Sequence, residues 1–132
     1  MLNTILFVDD DPITLMLCKK VISKAAFSDQ IITAQNGEEA INLFHNLLDD
    51  SEKTVPELIF LDLNMPIMGG WDFLEEFSKP TFKQFHNIKV IVLSSTIDPE
   101  DLEKIKEFPM VMDFLPKPIS LSMLNKVAEA LI

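Results

Sequence analysis

Five short runs of β-branched or large apolar residues constrain this chain more than any other feature: Thr4 to Val8, Gln30 to Ala34, Leu58 to Leu61, Lys89 to Leu93 and Val111 to Leu115. Runs of this length and composition suit strands buried on both faces. Between them the apolar residues recur every three or four positions, as in Ala40, Phe44, Leu47 and Leu48, or Leu121, Leu124, Val127, Ala128 and Leu131. That spacing gives a helix one apolar face with which to cover a sheet. The order is strand then helix, five times. Parallel strands need such crossovers, and right-handed crossovers put helices on both faces, so the expected fold is α/β with a doubly wound parallel sheet of five strands.

Local chemistry marks where the helices begin. Asp11 before Pro12 and Asp98 before Pro99 each place an N-cap acceptor ahead of a proline at the first helical position, where a missing N–H costs nothing. Ser120 is placed to cap the last helix, and Asn36 with Glu39 makes an approximate capping box after the second strand. The charged stretch Asp49 to Lys53 reads as an ordinary loop, and no repeat or linker divides the chain. Residues 1–132 are therefore expected to form one domain, with its final helix ending at Ile132.

Composition narrows the function. Hydrophobic residues make up 48% of the chain, enough for a core of its own, and charged residues 24%. No apolar run approaches the roughly 18 residues of a membrane span, and no basic segment precedes Leu2 to Val8, so neither a membrane nor a secreted protein is expected. A lone cysteine, Cys18, can form no internal disulfide and fits a reducing compartment, hence the cytoplasm. The net charge of −10 repels a phosphate backbone, so direct nucleic-acid binding is not expected.

Doubly wound sheets bind ligands beyond the carboxyl ends of their strands. The residues there are Asp9, Asp10 and Asp11 after the first run, Asp62 after the third, Ser94 and Ser95 after the fourth, and Lys117, before Pro118, after the fifth. Carboxylates crowded at one edge repel, by about 4 kcal/mol per pair at ~4 Å and an effective dielectric near 20. A hard divalent cation such as Mg²⁺ offsets this, since it takes oxygen ligands and keeps waters that a phosphoryl oxygen can replace. A carboxylate held beside such an ion stays ionised and can attack phosphorus, which makes one acid a candidate covalent nucleophile. Lys117 and the Ser94 hydroxyl could then neutralise and position the other phosphoryl oxygens.

The stretches Ile5-Leu6-Phe7-Val8-Asp9-Asp10-Asp11-Pro12 and Leu61-Asp62-Leu63-Asn64-Met65-Pro66-Ile67-Met68-Gly69-Gly70, with the hydroxyl at Ser94 and the pair Lys117-Pro118, resemble the receiver domain of two-component response regulators over essentially the whole chain. The resemblance implies a flavodoxin-like fold of strand order 2-1-3-4-5 with five helices. It implies that Asp62 is the phosphoacceptor, that Asp10 binds Mg²⁺ directly and Asp9 through water, and that Asp62 and the backbone carbonyl of Asn64 complete the metal site. Asp11 is then a helix cap rather than a ligand. Ser94 would be the switch hydroxyl, Phe114 the aromatic that changes rotamer and becomes buried on activation, and Lys117 a salt-bridging ammonium aimed by a cis Lys117–Pro118 peptide. The implied donor is a sensor histidine kinase or a histidine phosphotransfer protein. The implied output is a stand-alone switch whose face of fourth helix, fifth strand and fifth helix is read by a protein target, with a weak homodimer through that face a further expectation. No catalysis beyond self-phosphorylation and its reversal is expected. Two departures are plain: Phe114 stands where tyrosine is frequent, so no hydroxyl assists there, and Ser94 replaces a common threonine. Asn64 and Thr96 resemble positions that tune dephosphorylation.

Other readings compete. Asp9-Asp10-Asp11 approximates the start of haloacid-dehalogenase-type phosphatases, but no acidic pair follows Lys117 and the 62–70 motif would be unexplained. A docking module that is never phosphorylated is the third alternative. His45 and His86 lack partners at metal-ligand spacing and read as solvated or packing residues. Cys18, among Leu15, Met16, Leu17 and Val21, reads as a small core hydrophobe, and Met65 and Met68 as packing for the loop after Asp62. Leu102, Ile105 and Phe108 could equally supply the output face or the core.

Overall fold

The computed structural model describes residues 2–50, 54–65, 67–96 and 98–131. Five strands, β1 (Leu2–Val8), β2 (Ser28–Ala34), β3 (Leu58–Asp62), β4 (Lys89–Ser94) and β5 (Val111–Pro116), form one parallel sheet in the order β2-β1-β3-β4-β5. They alternate with α1 (Pro12–Lys24), α2 (Gly37–Asp49), α3 (Gly70–Phe77), α4 (Pro99–Lys104) and α5 (Leu121–Leu131). This is the expected flavodoxin-like α/β fold.

Strand alternation divides the core in two. Leu6, Val8, Ile59, Leu61, Val90 and Val92 face α2 and α3, where Phe44, Phe73 and Phe77 fill the layer. Ile5, Phe7, Leu58, Phe60, Ile91 and Leu93 face α1 and α5 through Leu15, Ile22, Leu124 and Val127. Every residue of β3 is buried, which is why that strand reads as an unbroken apolar run.

The helix starts follow their caps. Asp11 Oδ1 accepts the Ile13 N–H at 3.0 Å, Asp98 Oδ1 that of Glu100 at 3.0 Å, Asn36 Oδ1 that of Glu39 at 2.8 Å and Ser120 Oγ that of Met123 at 3.2 Å. The Glu39 carboxylate closes its box one residue early, on the Gln35 N–H at 3.1 Å. At its other end α1 stops in a Schellman turn: Phe27 N–H reaches the Ile22 carbonyl and Ala26 N–H that of Ser23, both at 3.1 Å, with Ala26 at φ 50°.

Each strand extends beyond its expected run at one end, and Asp62 and Ser94 are last residues of β3 and β4 rather than followers, because they pair with Leu93 and Pro116. Two 3₁₀ segments break the simple alternation. Pro80–Phe85 buries Phe82 and Phe85 before β4, and Ile105–Glu107 continues the short α4, which has no fully buried residue. Phe108 belongs to the core, Ile105 packs on its edge and Leu102 is exposed. The expected 49–53 loop begins after α2, but residues 51–53 lie outside the described ones, as do Pro66 of the quoted motif and Ile132; α5 runs to Leu131. Among the described residues no helix is long and apolar enough to cross a membrane.

Candidate functional site

The carboxyl ends of β1, β3 and β4 and the residue after β5 converge at one edge of the sheet. Asp9, Asp62 and Ser94 are buried there, with relative exposures of 0%, 3% and 1%, while Asp10 is exposed. Asp9, Asp10 and Asp62 each bring a carboxylate oxygen within 4.8 Å of the others. Adjacent strands in parallel register account for this: β1 lies beside β3 with Val8 paired to Leu61, so the next residues, Asp9 and Asp62, stand side by side at the carboxyl edge.

Lys117 supplies the cation. Its Nζ donates to Asp9 Oδ2 at 2.9 Å and lies 3.4 Å from Asp62 Oδ1, while its N–H donates to the Ser94 carbonyl at 2.9 Å. Its peptide bond to Pro118 is cis. Asp9 is doubly held, since Oδ1 accepts the Asp11 N–H at 3.0 Å.

Burial pushes the Asp62 carboxyl above its ordinary range, Asp9 pushes it further, and Lys117 and the Asn64 N–H counter this only in part. For Lys117 burial works against the ammonium, but the hydrogen bond to Asp9 and the charge of Asp62 outweigh it and raise the net value. The anionic edge is thus held with its charge incompletely balanced. Asp9, Asp10 and Asp62 form a hard oxygen donor set of the kind a divalent cation takes, and they fit such an ion by number and proximity.

Asp11 stands apart from the cluster as a cap: Thr14 Oγ1 donates to its Oδ2 at 3.0 Å, and this bond and that from Ile13 hold its carboxyl below the usual range. The Ser94 hydroxyl donates to the Thr96 carbonyl at 2.6 Å. Phe114 is already buried, at 9% exposure, so in this conformation its burial does not wait on the hydroxyl. The cause is a register irregularity opposite Val90 and Ile91, which brings Val111 and Phe114, three residues apart, to the same face of an edge strand.

Asn64 is exposed at the mouth of the site, and its N–H lies 3.4 Å from Asp62 Oδ1. Met65 and Met68 pack against the core as expected, and between them Ile67 is 81% exposed at φ 71°, an unusual backbone state for a β-branched residue. His45 packs on Phe82 and His86 Nε2 bonds the Phe77 carbonyl at 2.8 Å; neither joins the acidic cluster. Cys18 is a buried thiol whose pKa burial raises to about 11.

Two contacts escape the sequence reading. A Cβ at Gly70 would lie 2.7 Å from the Asp62 carbonyl oxygen, and the Gly37 N–H donates to the Met68 carbonyl at 2.8 Å. Asn36-Gly37 signals a turn, and nothing in that signal says the turn touches the loop after Asp62.

The family model for the response regulator receiver domain matches residues 5–129. A protein-glutamate methylesterase/protein-glutamine glutaminase of Methanococcoides burtonii is 29% identical over 128 residues, 96% of this chain and 33% of that protein. The nitrate/nitrite response regulator protein NarL of Escherichia coli is 33% identical over 99 residues, 75% of this chain and 41% of that protein. The chain thus spans well under half the length of these two curated relatives. Among solved structures, a two-component response regulator from Cytophaga hutchinsonii superposes with a TM-score of 0.88 at 28% identity, covering 98% of this chain and 96% of that one. The phosphorylated cyanobacterial phytochrome response regulator RcpA gives 0.75 at 26% identity, covering 99% and 91%.

Proposed function

Because the chain belongs to the response regulator receiver family, we propose that its Asp62 accepts a phosphoryl group from a phosphohistidine on a sensor histidine kinase or phosphotransfer protein, within a receiver domain spanning residues 1–132. The observation that carries this is the buried Asp62 carboxylate within reach of Asp9, Asp10 and the Lys117 ammonium. An Asp62 oxygen forms the new bond to phosphorus as the donor's N–P bond breaks, and the departing imidazole keeps the nitrogen's electron pair and takes up a proton. Lys117, anchored on Asp9, would hold one phosphoryl oxygen. Mg²⁺, held by Asp9, Asp10, Asp62 and the Asn64 carbonyl, would neutralise and orient the others.

Ser94 would act as the switch hydroxyl, exchanging its bond to the Thr96 carbonyl for one to the phosphoryl group, and Phe114 would repack within the core rather than enter it. The face made by α4, β5 and α5 would carry the change to a protein target or to a second copy in a weak homodimer. A donor's helices have an apolar surface to meet beside the acceptor. Ile13, Met16 and Leu17 are exposed at one helical face of α1, and Leu17 lines a cavity of about 220 Å³ with Lys117 and Pro118. A cytoplasmic setting fits the free, buried Cys18.

Label from a phosphohistidine-bearing phosphotransfer protein should pass to this chain as one acid-stable, base-labile group, and should not pass to Asp62→Asn. Steady turnover of a small phosphomonoester would point instead to the phosphatase reading. Signalling in cells that survives Asp62→Asn unchanged would point to a docking module.

A further inference from the structure

We propose that Gly37, at the first position of α2, is a positioning residue for the acceptor loop between β3 and α3, and that it does so with its N–H and its bare Cα together. This inference rests on the metal and acceptor reading of that loop given above. The first N–H groups of any helix lack partners within the helix. In α2 the Asn36 side chain satisfies Glu39, and the Gly37 N–H is directed outward to the Met68 carbonyl at 2.8 Å.

Contact this close leaves no room for a side chain. A Cβ on Gly37 would lie 2.8 Å from the Met68 carbonyl oxygen, 2.9 Å from Met68 Cγ and 3.1 Å from the Gly69 carbonyl oxygen. Two of these three atoms are backbone, so a rotamer change of Met68 cannot clear them. The loop itself cannot retreat toward the strand, because Gly70 already packs its Cα against the Asp62 carbonyl and Leu63, and its N–H is bound to the Leu63 carbonyl at 3.1 Å. A methyl at position 37 therefore displaces the segment that carries the Asn64 carbonyl, one of the oxygens assigned to Mg²⁺. The glycine is not needed for its backbone angle, since among the described residues no glycine has a positive φ.

The test is Gly37→Ala, followed by calorimetric titration with MgCl₂ alone and by thermal melting. Alanine favours a helix over glycine, so if Gly37 merely started α2 the variant would melt at the same or a higher temperature and bind Mg²⁺ as before. A positioning role predicts Mg²⁺ binding weakened by about 10-fold or more, the range seen when groups that orient metal ligands are lost, with the helical circular dichroism retained. Equal affinity in the two proteins would overturn the inference and leave the acceptor reading intact. Failure of the unsubstituted protein to bind Mg²⁺ would overturn both. Should the variant not fold, the unsubstituted protein decides by ¹H–¹⁵N spectra: the Gly37 resonance must move with that of Asn64 at one midpoint during the titration. A Gly37 resonance that stays fixed while that of Asn64 moves overturns the inference.

Discussion

The nearer partner of the Lys117 ammonium is Asp9, at 2.9 Å, a residue 108 positions earlier in the chain and fully buried. Asp62 is the more distant partner, at 3.4 Å. The lysine is therefore a structural counter-ion before it is anything else, and it ties the loop after β5 to the end of β1. Lys117→Met should lower metal-free stability by about 3 kcal/mol, the low end for breaking a buried pair because Lys117 is partly exposed. Urea melts with and without Mg²⁺ measure this. Added Mg²⁺ should recover more stability in the variant than in the unsubstituted protein.

The raised value at Asp62 has a definite sign. An acid that binds its proton more tightly when folded leaves the folded state with more protons than the unfolded one, so stability falls as pH rises through that window. Metal-free protein should thus gain a contribution from Asp62 as pH drops from neutrality toward the ordinary carboxylate range, before general acid unfolding sets in. Asp62→Asn should melt higher at pH 7, by about 4 °C for each kcal/mol gained, and should lose that pH-dependent increment. Lys117 has the same sign in a higher window: its contribution is whole below the unfolded value of about 10.4 and is lost as pH rises through the higher folded one.

Ala26 occupies the left-handed position of the α1 Schellman turn, which an L-residue enters at a cost of about 1–2 kcal/mol. Ala26→Gly should therefore stabilise the protein, by about 0.5 kcal/mol once glycine's larger unfolded entropy is subtracted. Thermal melting is the check; a lower melting temperature would mean the turn is not strained.

Trp71, the only tryptophan, stacks on Phe108 with ring centroids 6.0 Å apart, and Lys104 Nζ lies 4.9 Å from its ring centroid. The short α4 has no fully buried residue of its own, so this contact with α3 is a main tether. Lys104→Gln should cost about 0.5–1 kcal/mol and shift the tryptophan emission. If phosphorylation moves α4, the same emission should change on adding a phosphodonor, and Asp62→Asn should abolish the change.

The sheet was legible because β1, β3 and β4 are apolar on both faces, and the helix starts because Asp11, Asn36, Asp98 and Ser120 cap by local rules that need no knowledge of the rest of the fold. The converging acids were legible for a related reason: once strand order is set, residues that follow parallel strands must meet. What escaped depends on contacts between distant segments. Phe82 and Phe85 occupy a short 3₁₀ segment whose spacing is too brief to be periodic. The irregularity that turns Phe114 into the core is a matter of pairing between β4 and β5, and the approach of Gly37 to Met68 appears only when two loops are set side by side.

Intact-mass spectrometry after incubation with acetyl phosphate or phosphoramidate and Mg²⁺ decides whether Asp62 is a phosphoacceptor. The predicted result is the mass of one added phosphoryl group, lost on chelation of the metal before reaction and absent from Asp62→Asn. No adduct with any donor, or an adduct that persists undiminished in Asp62→Asn, would contradict it.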